Sequence, residues 1–518
     1  MHSPPALTLG DMIENNAHKF PDDIAFVVDD HRLTHREFAA RARRLAGAWQ
    51  LHGVLPQQRI GILAQNCMEF AEVYGAGELA GFITATVNFR LAAPEMLYII
   101  KDSAPEILVF EAQYAAVIDA MRPQLSVRHY VMIGGALDWA EDYEAVMASG
   151  DPAGSKFRST EADIAYLIYT SGTTGRPKGC ILGQREEVCA AQLLGSDMRC
   201  SAADRILLMM PFFHIGAKIL QLAQHWRGGT AVIHRNFDPA LILRTIASER
   251  ITITHMAPTM IQTVLESEEI GRHDVSSLEM IVYAAAPMPT PVLRRGLEVF
   301  GAVFQQQYGQ TEGPGTTLLR HQHLPQGTEQ QRRRLGSVGQ ASPTVQIRVV
   351  DDGGDDCAIE TPGEVLIRSG AMTRGYWNNT PATVETLRSG WVHTGDVGKL
   401  DADGFLYLVD RKKDMIISGG ENIYSREVEE ALVHHPAVSE AAVIGMPDPK
   451  WGETVCAVIV LRSGAEATAE TLAEHCTTLI ARYKRPRHVV FVEAIPKLPS
   501  GKVNKVELRR QHVPAVPA

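Results

Sequence analysis

An apolar run at residues 164–168 passes directly into Tyr169-Thr-Ser-Gly-Thr-Thr-Gly-Arg-Pro-Lys-Gly179. The run reads as a buried β-strand. In the stretch that follows, Gly172, Gly175 and Gly179 let the backbone turn tightly and bring its N–H groups close to a bound group. Ser171, Thr173 and Thr174 add hydroxyls, and Lys178 adds a fixed positive charge. A Gly/Ser/Thr cluster is most often a surface loop. Hydroxyls and a cation interleaved with glycines straight after a strand favour a cradle for a polyphosphate. The spacing is not that of a Walker A loop, which needs four residues between its glycines and then Gly-Lys-Ser/Thr. Here Thr173 and Thr174 alone separate Gly172 from Gly175, and Pro177 precedes Lys178.

The chain's 518 residues exceed what one core usually holds, so two or more domains are expected. A hydrophobic share of 45% and a charged share of 21% are ordinary for a globular protein. The net charge of -10 argues against a nucleic-acid binder, which needs a basic excess. It leaves room for a local basic pocket around a nucleotide. No apolar run approaches the eighteen residues of a membrane helix, and residues 1–20 lack the apolar core of a secretory leader. Seven scattered cysteines without a Cys-x-x-Cys pair suggest free thiols in a reducing cytosol, so a cytoplasmic protein is expected. The 19 histidines are dispersed, with no metal-site spacing.

Residues 24–110 alternate apolar runs with helical patterns. Strands are expected at 24–28, 59–64, 82–87 and 106–110. Thr34 and Glu37 form a capping box for a helix through Trp49. Asn66 is expected to cap the next helix, and Pro94 to start another. Strands separated by helices imply βαβ units and largely parallel sheets. No catalytic constellation stands in the first 160 residues, which read as scaffold. Further on, 280–283 reads as a strand and 290–300 as a helix. Gly363 begins a strand, Thr380-Pro381 caps a helix, and Asp403-Gly404 marks a tight turn before a strand at 405–409. A charged run, Asp410-Arg-Lys-Lys-Asp414, has the look of a linker. Residues 425–510 read helix, strand, strand, helix, strand, with Ser425 as helix cap.

The segment 169–179 resembles the signature loop of the acyl-adenylate-forming superfamily, which includes acyl-CoA synthetases, peptide-synthetase adenylation domains and firefly luciferases. Four more motifs follow in that family's order. Tyr308-Gly-Gln-Thr-Glu312 offers an aromatic face, a hydroxyl (Thr311) and a carboxylate (Glu312) sufficient for Mg²⁺ beside phosphates. In Trp391-Val-His-Thr-Gly-Asp396, Asp396 can accept ribose hydroxyls as acidic residues do in Rossmann folds. Asp410-Arg-Lys-Lys implies a ribose contact at Arg411 and a hinge at Lys413. Pro499-Ser-Gly-Lys502 implies a mobile adenylation lysine at Lys502.

The resemblance covers nearly the whole chain and implies an α/β and α+β fold. A large N-terminal domain of βαβ-rich sheets (residues 1–410) would join, through a hinge at 411–413, a small mobile α+β domain (414–518). It further implies ATP and AMP contacts at Thr170, Ser171, Gly172, Thr173, Thr174, Gly175 and Lys178. More would come from Ala285, Ala286 and Pro287, where adenine would stack, and from Tyr308, Gly309, Gln310, Thr311, Asp396, Arg411 and Lys502. Lys178, Thr311, Glu312 and Lys502 carry the catalytic expectation. The acyl pocket would be lined by His214 of Pro211-Phe-Phe-His-Ile-Gly216 with Ala284, Ala285, Gln307 and Gly309. Gly419 and Gly420 would border a CoA tunnel, with Trp451, Tyr483 and Arg485 as further CoA contacts. For Trp451 a packed position is nearly as good a reading, and Tyr483-Lys-Arg485 could equally be a solvated basic turn.

The activity so implied is ATP-dependent acyl-CoA synthesis. A carboxylate attacks the α-phosphate of ATP, and CoA's thiol then displaces AMP from the acyl-adenylate. No general base is required, because the carboxylate is already a nucleophile. A stand-alone module loading a carrier protein is the alternative. The Asp that peptide-synthetase domains place beside the substrate ammonium is absent near His214, which weighs against an amino acid. Lys218 is expected to face solvent, with a second acidic group of the substrate as the other reading. The sequence does not name the acid, and it leaves a homodimer open.

Overall fold

The computed structural model describes residues 7–170, 176–418, 421–498 and 502–513. Among these residues the strands assemble into four sheets. In the seven-stranded sheet, Arg59–Leu63 lies between Ile107–Glu111 and Ile83–Thr86, which is followed by Ile164–Thr170 and Lys178–Gly183. Every pairing in it is parallel except the last, where Ile164–Thr170 turns back antiparallel into Lys178–Gly183. The glycine-rich stretch therefore joins the arms of an edge hairpin, with Thr170 opposite Lys178. A Walker A loop would instead lead into a helix. Ser171 to Gly175 themselves lie outside the described residues.

The nine-stranded sheet holds Ile253–Met256, Met280–Tyr283 and Phe304–Gln310 as parallel neighbours, and Gly313–Leu318 returns antiparallel beside them. Ends of parallel strands are where open α/β sheets receive ligands. The two large sheets share one core. Ile60 and Ile62 of the first, Ile206 and Val282 of the second, and Phe70, Tyr74 and Leu220 of intervening helices belong to a single buried cluster. Each such side chain contributes about 1.5–3 kcal/mol by leaving water. Residues Trp391–Leu400 and Leu406–Arg411 pair antiparallel in a third sheet whose register sets Asp396 opposite Arg411.

The small C-terminal α+β domain has its own core around Ile416, Val428, Leu432, Val455 and Leu472. Its helices Ser425–Val433 and Ala469–Leu479 alternate with the strands Val438–Asp448, Gly452–Leu461 and His488–Phe491 in the expected order, followed by a helix at Lys505–His512. The expected fold class, a large α/β unit with a smaller α+β unit, is the one adopted. Among the described residues no helix is long and apolar enough to cross a membrane. All seven cysteines are free thiols.

Local expectations held where the signal was itself local. The strand at Ile24–Val28, the capping box of Thr34 and Glu37 before the helix His35–Leu51, and the Pro94-led helix Ala93–Ser103 all form. Three caps differ. Cys67 occupies the cap of Met68–Ala80, while the Asn66 amide donates to Met210 O and His234 O, each at 3.0 Å, fastening two loops. Asn379 rather than Thr380 caps Thr380–Thr386, accepting from the Ala382 N–H. Ser425 is the first helical residue rather than the cap. Its hydroxyl donates to Asp410 Oδ1 at 2.9 Å, and Lys505 Nζ donates to it at 2.5 Å, so it helps tie the small domain to the large one.

Candidate active site

The hairpin that carries Lys178 is braced by residues 373–377. Ile181 N–H donates to Gly375 O at 2.9 Å and Trp377 N–H to Gly179 O at 2.7 Å. Gly375 has φ +119°, a backbone setting that glycine takes without steric cost. This brace sets Tyr376 against both charged groups of the phosphate side. Lys178 Nζ lies 4.4 Å from the Tyr376 ring centroid, and the Tyr376 hydroxyl donates to Glu312 Oε1 at 2.5 Å. Glu312 is buried. Among the described residues no cation stands within ion-pair distance of it, and its second oxygen accepts no hydrogen bond from them. Thr311 adjoins it, its carbonyl accepting a weak bond from the Cys180 thiol at 3.6 Å. No sequence signal marked Tyr376, because an aromatic after a loop glycine is ordinary.

On the ribose side, Asp396 is buried and bonded on both oxygens. Tyr308 Oη and Gln310 Nε2 donate to Oδ2 at 2.7 and 2.8 Å, and Arg411 Nε lies 2.5 Å from Oδ1. A carboxylate has about four lone-pair directions. Three are taken here, which leaves one for a further donor. Gln310 also donates to Thr394 O at 2.9 Å, locking the strand end that presents Asp396. Tyr308 is thus fixed through its hydroxyl as well as offering a ring face. Gly309, beside it, is exposed.

Lys502 reaches this centre from the small domain. Burial presses its pKa below the ordinary 10.5, and the neighbouring Arg411 and Lys413 push the same way, while Asp396 and Glu312 oppose. The group therefore stands among Arg411, Lys413, Asp396 and Glu312 at once. Lys413 is exposed, and its pKa is lowered by desolvation against the pull of Asp414.

Beyond Lys502 lies His214, which caps the helix Ile215–His225 and accepts the Gly216 N–H at Nδ1 (3.2 Å). That bond puts the ring proton on Nε2. Burial, then the Lys502 charge, pushes His214 down to about 4, so it is neutral at pH 7. Ala284, Ala285 and Ala286 are half-buried where Met280–Tyr283 ends, and Pro287 follows, exposed. Ala285 sits at φ +72°, a left-handed setting that costs a non-glycine residue about 1–2 kcal/mol. Strain of this kind persists where surrounding structure enforces it, often at ligand sites.

Lys218 does not face solvent. Its ammonium is buried 2.6 Å from Glu78 Oε1, donates to Gln221 Oε1 at 2.7 Å, and lies 4.4 Å from the Tyr74 ring centroid. Tyr166 Oη also donates to Glu78. Glu187 is buried nearby, and burial raises it to about 8 against the Lys218 charge. Lys218 is thereby consumed inside the fold rather than held for a substrate.

The residues expected to meet CoA lie on the small domain. Trp451 is flanked by Lys450 Nζ and the Arg487 guanidinium, each 4.9 Å from its ring. Tyr483 is 45% exposed, and Arg485 is half-buried. Among the described residues none of these makes a hydrogen bond, ion pair or ring contact to Lys178, Glu312, Asp396 or Lys502. Gly419 and Gly420 lie outside the described residues.

Residues 13–377 match the family model "AMP-binding enzyme", and residues 427–502 match "AMP-binding enzyme C-terminal domain". The chain is 36% identical to the long-chain-fatty-acid–CoA ligase FadD13 of Mycobacterium tuberculosis over 510 residues, covering 94% of this chain and 95% of that one. It is 35% identical to a feruloyl-CoA synthase of an Amycolatopsis species over 483 residues, covering 92% and 94%. The anthranilate CoA ligase AuaEII, solved with anthranoyl-AMP, superposes with a TM-score of 0.90 at 27% identity, covering 99% of this chain and 98% of that one. A nucleotide-type centre with a lysine delivered by the second domain, and family matches on both domains, agree. The chain belongs to the AMP-binding enzyme family, in its acyl-CoA-synthetase-like branch, and is an ATP-using, acyl-adenylate-forming ligase.

Proposed function

We propose that this ligase is an acyl-CoA synthetase, converting a carboxylic acid, ATP and CoA to acyl-CoA, AMP and pyrophosphate. The observation that supports its adenylation half is the placement of Lys502 near Asp396, Arg411 and Glu312, far from it in sequence. In the first half-reaction the substrate carboxylate oxygen attacks the α-phosphorus, and the bond to the bridging oxygen of pyrophosphate breaks. Lys502 stabilises charge on the transferring phosphate and on the incoming carboxylate. Lys178, with the hydroxyls of Thr170, Ser171, Thr173, Thr174 and Thr311, holds the leaving phosphates. Asp396 and Arg411 hold the ribose, and Ala284 to Pro287 the adenine.

The donor set on the phosphate side fits Mg²⁺. Glu312 would hold it, with Tyr376 fixing the other carboxylate oxygen, and the ion would supply positive charge beside the phosphates. In the second half-reaction the small domain turns about Lys413 and withdraws Lys502. The CoA sulfur then attacks the acyl carbon, and the acyl–oxygen bond breaks to release AMP. Gly419, Gly420, Trp451, Tyr483 and Arg485 are assigned to the CoA arm and nucleotide.

Pyrophosphate release across a panel of carboxylic acids, with and without CoA, tests the assignment. Sustained turnover that needs CoA supports it. Turnover sustained only by a carrier protein would assign the chain to carrier loading instead.

A further inference from the structure

Among the described residues, the face of the nine-stranded sheet turned toward His214 carries two buried hydrogen-bonding atoms with no partner. His255 is the first. It stands in register with Val282, which stands in register with Gln305, so the three share one face. Val282 and Ile253 fix which face this is, since both lie in the core that also holds Ala217 and Leu220 of the His214 helix. The Gln305 amide agrees, donating to Asp197 O at 3.3 Å at the end of the helix Gln184–Asp197. Gln307 lies two positions beyond Gln305 and returns to the same side. Between His255 and Gln307 the strand Met280–Tyr283 ends and gives way to the small side chain of Ala284.

His255 is 2% exposed, and its Nδ1 has no partner among the described residues. The Gln307 amide nitrogen is likewise buried without one. Gly216 separates the two imidazoles. A side chain there would come within 3.4 Å of His214 Nδ1 and 3.7 Å of His255 Cε1, so its lack of one keeps a gap between them. Burial, then the nearby His214, pushes His255 to about 4, so the pair is uncharged at neutral pH. Orphaned buried polar atoms are rare in native proteins and call for a partner. Lys218, the cation within this helix, is already closed on Glu78.

We infer that His255 and Gln307 select an acid whose acyl body bears an uncharged hydrogen-bonding group, such as a phenol, hydroxyl or ring N–H. Gln307 lies two strand spacings across the sheet and two residues along it from His255, about 12 Å between backbone positions, so one acyl body can meet the two at opposite ends. A plain alkyl chain would leave both atoms unpaired, and a second carboxylate would find Lys218 already closed on Glu78. This inference rests on the ligase reading proposed above.

The test compares matched acids in pyrophosphate release with CoA present: 4-hydroxycinnamate against cinnamate, indole-3-acetate against naphthalene-1-acetate, and decanoate. The wild-type chain should favour the polar member of at least one pair by at least about tenfold in kcat/KM. His255→Leu or Gln307→Leu should cut that ratio to below about threefold, with KM for ATP serving as the check on folding. Equal or reversed preference in both wild-type pairs overturns the inference, as does a ratio that survives both substitutions. Best activity with decanoate overturns it too, while leaving the ligase reading in place. Release with no acid at all would overturn the ligase reading itself.

Discussion

The hydroxyl of Tyr376 donates to Glu312 Oε1 at 2.5 Å, and the same ring lies under the ammonium of Lys178. One aromatic side chain therefore spaces the cation and the anion of the phosphate side and keeps them from neutralising each other. Without it, Lys178 and Glu312 could close into an ion pair and lose their hold on phosphate and metal.

Tyr376→Phe keeps the ring but deletes the bond to Glu312. Groups that orient a metal ligand typically matter by 10–100-fold in affinity. An increase of about tenfold in the Mg²⁺ concentration needed for half-maximal rate is expected, with a matching loss of MgATP affinity by calorimetry. Unchanged Mg²⁺ dependence would remove Tyr376 from this role.

Lys502→Ala should slow adenylation by about 10²–10³-fold, the scale of one lost charge-stabilising donor. Thioester formation from supplied acyl-AMP should be much less affected. A cation is needed, and its folded pKa is lowered. Adenylation should therefore fall as pH rises through a value below the 10.5 of an ordinary lysine, and Lys502→Arg should move that limb upward. Equal loss in both half-reactions contradicts the assignment.

Replacing Lys413 with Pro fixes φ at the linker. Adenylation should persist and thioester formation should be blocked, measured as pyrophosphate burst against acyl-CoA yield. Full turnover in that variant would contradict rotation about this residue.

Lys218→Met should destabilise the fold by about 3–5 kcal/mol, because it leaves Glu78 buried without its cation. Urea denaturation reads the loss. The acid preference of the folded fraction should not change, which separates this structural ion pair from a substrate contact.

These residues also show what the sequence made legible. Thr34 with Glu37, Pro94 and the strand before Thr170 are signals that act within a few residues, and the structure realises them. The order of motifs likewise pointed to Asp396, Arg411 and Lys502, which the fold brings together across long separations. Asn66 and Ser425 looked like caps because their chemistry suits caps, but distant carbonyls and Asp410 compete for the same groups. Lys218 looked exposed because a lone lysine usually is, and only the packing of Met68–Ala80 against its helix supplies Glu78. Tyr376 and His255 carry no local pattern at all, since their positions follow from strand register and loop bracing.

The most direct measurement follows oxygen. With an accepted acid labelled with ¹⁸O in both carboxylate positions, attack on the α-phosphorus and later cleavage of the acyl–oxygen bond must carry one label into AMP. Mass spectrometry should find AMP two mass units heavier, unlabelled pyrophosphate, and acyl-CoA retaining the other label, all dependent on CoA for more than one turnover. Label in pyrophosphate or free phosphate, or AMP without label, would contradict the acyl-adenylate route.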